Sequence, residues 1–173
     1  MANDRTRQQV LLCRTRAILI FFVAALVASG LTAFPLRWEL DVLSRLVGLT
    51  PDLPPADYSP LQEWIARVHA GLDETYAKYP FMAYGTDWLA FAHIVVGIAF
   101  VGAVRDPVRN VWIITWGMIA CVLVVPLALV CGPLRGIPFY WQLIDCLFGV
   151  FGIIPLWLAR RWATALAGAR SHI

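Results

Sequence analysis

Two ionisable residues lie inside otherwise apolar stretches of this sequence, and they are the first candidates for chemistry. His93 follows Trp88, where one apolar run begins, by five residues, and Asp145 follows Phe139, where another begins, by six. At about 1.5 Å of helical rise per residue, both side chains lie roughly 8–9 Å from the start of their runs. Ionisable groups in lipid are costly and usually pair, so we predict that His93 contacts Asp145.

These residue types suit acid–base chemistry. Imidazole exchanges protons near neutral pH, so His93 is the candidate general acid or base, and Asp145 would orient the imidazole or balance its charge. Arg135, at the same rim, would hold an anionic group of a ligand. The other candidate ligand-binding residues near this rim are Asp87, Tyr140, Trp141 and Gln142. A second interpretation stays open, in which the contact between His93 and Asp145 only holds two helices together.

Four apolar runs must position these residues. The runs cover residues 17–34, 88–104, 111–131 and 139–159. As helices they would extend roughly 25–31 Å, which matches the hydrocarbon core of a bilayer. Because backbone groups in lipid must be paired, each run is predicted to be a transmembrane helix. The predicted fold class is therefore all-α, a polytopic membrane protein with a four-transmembrane-helix bundle in one membrane domain over 1–173.

One stripe of the last run is expected to face the inside of this bundle. Gln142, Asp145, Gly149 and Gly152 fall on the same side of a helix. Small residues let membrane helices approach one another closely, and polar side chains in spans usually face the protein interior.

The composition agrees with a membrane protein. Of the 173 residues, 60% are hydrophobic and 14% are charged, whereas soluble domains have about 25% charged residues. Disordered chains are poor in hydrophobic residues, so disorder is excluded. The net charge is only +3, and the basic residues form no stripe with aromatic ones, so a nucleic acid is not expected as a partner.

The distribution of Lys and Arg predicts the orientation in a bacterial inner membrane. The N-terminal segment, the turn after the second run and the C-terminal tail carry nine basic residues against two acidic ones, whereas the other side carries five against eight. Positive residues favour the cytoplasm, so both termini should be cytoplasmic and residues 35–87 should lie outside. In the cytoplasmic turn, Arg105 and Arg109 could bind lipid phosphates or only anchor the topology. A signal peptide ending near Ala33 is the alternative interpretation of the first run, although the run is longer than a usual signal-peptide core.

The outer segment contains a predicted amphipathic helix over 60–79. Ser59 is placed to be its N-cap, Pro60 suits the first turn, and Gln62 completes a capping box. Apolar residues recur on one face of this helix. It would therefore lie in the outer interface or cover the bundle.

Two further charge patterns lie in the outer segment. Asp41 and Arg45 are spaced for an i,i+4 ion pair. His69 and Asp73 lie one helical turn apart and could share a metal ion. The sequence offers no third ligand within reach, so a solvated helix face is the favoured interpretation and no metal is predicted.

No cofactor is predicted either. The four cysteines form no CxxC motif, and only one histidine lies in an apolar run, so two axial histidines for a haem are not available. The chain has no phosphate-binding loop, dinucleotide fingerprint, zinc-protease motif or nucleophile elbow.

Part of the chain resembles known membrane proteins. Similarity to a family of bacterial four-span integral membrane proteins of uncharacterised function lies in 85–93 (GTDWLAFAH), 105–110 (RDPVRN) and 136–146 (GIPFYWQLIDC). The layout also resembles the EXPERA group of four-helix membrane proteins, which includes sterol isomerases and lipid-binding receptors. That likeness implies a lipidic ligand near the mouth of a cavity. The counterparts by placement here are Glu39, Asp41, His93 and Asp145.

Two functions from different classes follow. In the first, an outward-facing polar pocket of His93, Asp145 and Arg135 binds or transforms a lipidic or small anionic ligand, and whether the protein is an enzyme stays open. In the second, the protein is a non-catalytic accessory subunit of a larger membrane complex. Membrane lipid is a partner in both, and both leave homo- and hetero-oligomers open.

Overall fold

The computed structural model describes residues 2–50 and 54–170, and all of their regular structure is helical. The helices are α1 (Ala2–Leu31), α2 (Leu36–Leu46), α3 (Pro60–Lys78), α4 (Ala83–Arg105), α5 (Val111–Leu134) and α6 (Phe139–Arg170). Short 3₁₀ turns cover Pro55–Asp57 and Pro80–Met82. Residue 1 and residues 51–53 and 171–173 of the predicted membrane domain lie outside the described residues. The predicted all-α fold class is confirmed.

Within the described residues, four helices are long and apolar enough to cross a membrane. The corresponding stretches are Thr6–Leu31, Pro80–Arg105, Val111–Leu134 and Phe139–Ala169. No more than 28% of the residues in any of their apolar windows are buried. Most of this apolar surface therefore faces outward, as it does in helices surrounded by lipid, and the chain is a multi-pass membrane protein.

The helices extend beyond the predicted spans, except at the C-terminal end of α1. α1 starts well before residue 17 and ends at Leu31 rather than at residue 34, and α4 starts at Ala83 rather than at residue 88. α6 continues past residue 159 to Arg170. Composition marks only the apolar part of a helix, whereas backbone hydrogen bonding continues into the polar residues at either end.

The capped start of α3 is confirmed. The backbone N–H of Gln62 donates to Ser59 Oγ at 3.4 Å, and the backbone N–H of Ser59 donates to Gln62 Oε1 at 2.9 Å. Pro60 occupies the first helical position, where its missing N–H costs nothing. This helix ends at Lys78, one residue before the predicted end.

The chain forms two compact units. The first comprises Met1–Leu26 and Val96–Ile173, and it therefore contains the N-terminal part of α1, the C-terminal part of α4, α5 and α6. The second unit comprises Val27–Val95, with the ends of α1 and α4 and the whole of α2 and α3.

The first unit is a four-helix bundle with an apolar core. Each of its helical segments contributes to the buried cluster of Leu19, Phe100, Ala103, Ile114, Leu156, Ala159 and Ala163. Within this core the rings of Phe22 and Phe100 pack with their centroids 5.1 Å apart.

Glycines allow α5 and α6 to approach closely. A Cβ on Gly149 would collide with the carbonyl oxygen of Cys121, and a Cβ on Gly152 would lie 2.8 Å from Cys121 Sγ. Gly117 on α5 is packed in the same way, since its Cβ would lie 2.7 Å from Phe100 Cζ and 2.9 Å from Leu156 Cδ1. The expectation that Gly149 and Gly152 face the bundle interior is confirmed.

The end of α4 is capped by a side chain from α1. Arg16 donates from Nε and Nη2 to the carbonyl oxygens of Val104 and Arg105, at 3.1 and 2.7 Å. Carbonyl groups in the last turn of a helix have no intrahelical partner, so Arg16 satisfies two of them. Asn110 in the following turn donates to the carbonyl oxygens of Gly102 and Asp106 at 3.0 and 2.9 Å.

Replacing Gly149 by Ala should destabilise the protein, because a methyl group has no room beside the Cys121 carbonyl. We expect the free energy of unfolding to fall by about 1–3 kcal/mol, which thermal unfolding of the detergent-solubilised protein would measure. Gly71→Ala is the matched control, since Gly71 lies in α3 with open space around it. There alanine should stabilise the helix by up to about 1 kcal/mol. Equal unfolding temperatures for the two variants would contradict the close approach.

Candidate functional site

His93 lies on α4 in the second unit and is half-buried. Its Nδ1 lies 2.8 Å from the carbonyl oxygen of Leu89, one turn earlier in the same helix. A carbonyl oxygen can only accept, so Nδ1 carries the proton, and Nε2 of the neutral imidazole is an acceptor. His93 can therefore accept a proton or a hydrogen bond at Nε2.

Gly30, near the end of α1, fixes the position of this imidazole. A Cβ on Gly30 would collide with the Cβ of His93, and Gly30 is itself buried. Any larger residue would displace the histidine. The sequence analysis did not identify Gly30, because its importance depends on a contact between residues that are distant along the chain.

Asp145 lies on α6 in the first unit and is half-buried. Among the described residues of that unit, none forms a hydrogen bond or an ion pair with its carboxyl group. An ionisable group in a membrane-spanning helix is costly when nothing compensates it. The predicted pairing of Asp145 with His93 joins residues of different units and stays a prediction.

Gln142 holds the turn between α5 and α6. Its side chain is almost completely buried, and Nε2 donates to the carbonyl oxygen of Ile137 at 2.8 Å. Gly132 makes room for it, because a Cβ there would lie 2.6 Å from Gln142 Cγ. This predicted ligand-binding residue thus has a structural role at the turn.

The other predicted rim residues lie on both sides of the same turn or on α4. Arg135 follows the last residue of α5, where its backbone N–H donates to carbonyl oxygens of the final turn, and its side chain is exposed. Tyr140 and Trp141 lie in the first turn of α6 and are half-buried. Asp87 lies on α4 in the second unit and is half-buried.

A polar cluster, which we call the α2–α3 seam, joins two helices of the second unit. Its members are Arg37, Asp41, Ser44, His69 and Asp73. His69 Nε2 lies 3.1 Å from Asp41 Oδ1 and 3.6 Å from Asp73 Oδ2, and His69 Nδ1 lies 3.3 Å from Ser44 Oγ. Nε and Nη2 of Arg37 lie 2.7 and 2.6 Å from Asp73 Oδ1.

This seam corrects two expectations. The interpretation of His69 as part of a solvated face is wrong, because its side chain is only 24% exposed and contacts α2. The predicted ion pair of Asp41 with Arg45 is also wrong, since Asp41 pairs with His69 instead. Among the described residues, no group of three or more His, Cys, Asp or Glu side chains could hold a metal ion.

A groove of about 450 Å³ lies beside the seam, lined in part by Tyr58 and Arg45. The titratable seam residues that border it, Asp41, His69 and Asp73, already contact one another or Arg37. The cluster therefore acts first as a link between α2 and α3.

The two arginines predicted to contact lipid lie at the end of α4 and in the turn after it. The side chains of Arg105 and Arg109 are exposed. The backbone N–H of Arg109 donates to Asp106 Oδ1 at 3.1 Å, which stabilises the turn.

Comparison with protein-family models, with curated proteins and with solved structures gives no match for this chain.

Replacing His69 by Ala should loosen α2 from α3. The substitution removes the contacts of the imidazole with Asp41 and Ser44 on α2, and also its contact with Asp73. We expect the free energy of local opening to fall by about 1 kcal/mol, which corresponds to roughly fivefold faster amide exchange in α3. Hydrogen–deuterium exchange of the full chain in detergent, read by mass spectrometry, would measure it. Glu63→Gln is the control, since it breaks only the exposed pair with Arg67 on the same helix. Identical exchange in both variants would rule out a stabilising seam.

Proposed function

We propose that this multi-pass protein lies in a bacterial inner membrane and binds or transforms a lipidic or small anionic ligand through His93, Asp145 and Arg135. The observation that carries the proposal is the hydrogen bond from His93 Nδ1 to the Leu89 carbonyl oxygen, at 2.8 Å. It leaves Nε2 as an acceptor on a helix that is apolar enough to span the membrane.

A purely structural role for these residues has less support. The hydrogen bond of His93 is to its own helix, so it does not join two helices. Within its own unit, Asp145 has no hydrogen bond or ion pair to a described residue. Ionisable residues are rare in spans because they are costly, so each of the two is a candidate for binding a ligand.

Each residue has a chemical role in this proposal. His93 Nε2 would accept a proton or a hydrogen bond from the ligand. The exposed guanidinium of Arg135 would bind a phosphate or a carboxylate through two parallel hydrogen bonds. Asp145 would balance the positive charge of His93 when the imidazole takes up a proton. The neighbours proposed for the ligand are Asp87, Tyr140 and Trp141, whereas the buried Gln142 holds the α5–α6 turn.

An accessory role in a larger membrane complex is the second candidate. It is favoured by the extent of exposed apolar surface, since at most 28% of the residues in any apolar window of the spans are buried. Such a surface accepts other subunits as readily as lipid.

Native mass spectrometry of the protein, released gently from its own membranes, tests the ligand proposal. We expect a reproducible small adduct on the chain and a severalfold loss of that adduct in His93→Gln and Asp145→Asn. Gly30→Ala should also lose it, because the new methyl group displaces His93. Glu63→Gln is the matched control and should keep the adduct, because Glu63 is exposed on α3 and pairs with Arg67.

Two results would contradict the ligand proposal. An adduct held equally by all four variants would place the ligand elsewhere. A stable assembly with other subunits and without an adduct would favour the accessory function. Thermal unfolding of each variant separates loss of the ligand from loss of the fold.

We also propose that both termini are cytoplasmic. Lys and Arg are concentrated in the two terminal segments and in the turn between α4 and α5, and such residues favour the cytoplasmic side of a membrane. Glu63→Cys should react with a membrane-impermeant maleimide in intact spheroplasts, whereas Arg109→Cys should react only after permeabilisation. Both positions are exposed, so the difference reports the side of the membrane. The chain has four cysteines of its own. The mass added by the maleimide to each variant is therefore compared with the mass added to the protein without the substitution. The reverse pattern would invert the topology.

A further inference from the structure

α2 begins where the first membrane-spanning helix ends. After Leu31 the chain turns through backbone hydrogen bonds from Ala33 to Gly30 and from Phe34 to Leu31, at 3.1 and 3.3 Å. α2 starts at Leu36. Five residues reach at most about 18 Å when fully extended, and this turn is tighter. Because Leu31 ends a span, α2 must start close to the boundary of the bilayer.

Two apolar stripes run along α2. The residues of the first are buried or half-buried within the unit, and they are Leu36, Leu40, Leu43 and Val47. The second stripe, with a spacing of four residues, comprises Trp38, Val42 and Leu46. Trp38 and Leu46 are 65% and 78% exposed, and Val42 between them is half-buried. A helix that packed only against the rest of the protein would need only the first stripe.

α3 presents a different outer surface. Five of its apolar residues are buried or half-buried, namely Trp64, Ile65, Val68, Leu72 and Tyr76, and Leu61 in its first turn is 38% exposed. Its exposed residues include the charged side chains of Glu63, Arg67, Glu74 and Lys78. Of these two amphipathic helices, α2 therefore has the larger apolar surface left for a partner.

We infer that α2 lies in the plane of the membrane interface, with Trp38, Val42 and Leu46 inserted among the lipids of the leaflet that α1 reaches at Leu31. Tryptophan is enriched at this depth, because its ring is apolar and its N–H group is polar. Exposed Phe34, in the turn between α1 and α2, extends the apolar surface of the span toward α2.

Charge agrees with a lipid partner. Arg45 is adjacent to Leu46, its side chain is exposed, and it forms no ion pair within the described part of the chain. A guanidinium at this depth can pair with a lipid phosphate. α2 would thus hold the outer segment on the bilayer surface, whether or not His93 and Asp145 bind a ligand.

Photolabelling in liposomes tests this inference. The full chain is reconstituted with phosphatidylethanolamine and phosphatidylglycerol, together with a phospholipid that carries a diazirine near the glycerol end of one acyl chain. Trypsin then releases peptides 38–45 and 68–78, from α2 and α3 respectively. We expect severalfold more label on 38–45 than on 68–78.

A double variant sharpens the test. Trp38→Ser with Leu46→Ser removes two exposed apolar groups, so it leaves the packing of α2 on the protein intact. Label on Val42 should fall severalfold in this variant. Glu74→Gln, an exposed change within the control peptide, should leave the labelling of 38–45 unchanged.

Three results would overturn the inference. Equal labelling of the two peptides would remove the distinction between α2 and α3. Absence of label on 38–45 in liposomes would place the stripe away from lipid. Labelling in liposomes but not in native membranes would show that another protein covers the stripe.

Discussion

This structure depends on one constraint, that backbone N–H and C=O groups in lipid must be hydrogen-bonded within the protein. Every N–H and C=O group inside the hydrocarbon must find a partner within the protein, and an α-helix supplies these partners along its own length. α1, α4, α5 and α6 are accordingly continuous over their apolar stretches. α5 and α6 remain helical even though Pro126 and Pro155 each lack a donor N–H. Once the backbone is satisfied in this way, the specific packing is left to side chains and to the glycines that bring helices together.

The same constraint explains how polar side chains are used in the first unit. Arg16 satisfies carbonyl groups at the end of α4, Gln142 satisfies one in the α5–α6 turn, and the Thr115 hydroxyl accepts from Arg160 Nε at 3.1 Å. Among the described residues, no buried side-chain nitrogen or oxygen lacks a hydrogen-bond partner. Polar groups near the spans are therefore mostly committed to holding helix ends and turns. The half-buried carboxyl group of Asp145 differs from these groups, because within the unit it forms no hydrogen bond or ion pair with a described residue.

Features that depend on near neighbours in the sequence could be predicted, and features that depend on helix pairing could not. The capping box of Ser59 and Gln62 is local, and the inward stripe of Gly149 follows from helical periodicity. The partner of Gly149, the Cys121 carbonyl, needed the register of α5 on α6. Likewise, the bond between Arg37 and Asp73 joins residues 36 apart, and the bond between Arg16 and Val104 joins residues 88 apart. No local spacing rule reaches across such separations.

The two histidines of the second unit show that the hydrogen bonds of an imidazole say more about its possible function than the number of charged groups around it. His69 Nε2 lies 3.1 Å from Asp41 Oδ1 and Nδ1 lies 3.3 Å from Ser44 Oγ, so both ring nitrogens are used to join α2 to α3. His93 instead donates from Nδ1 to its own helix. Within the second unit, its Nε2 has no hydrogen bond to a described residue. The α2–α3 seam has more charged groups, but each of them contacts another member of the seam. An imidazole held in place by one nitrogen, with the other left as an acceptor, is what acid–base chemistry or ligand binding requires.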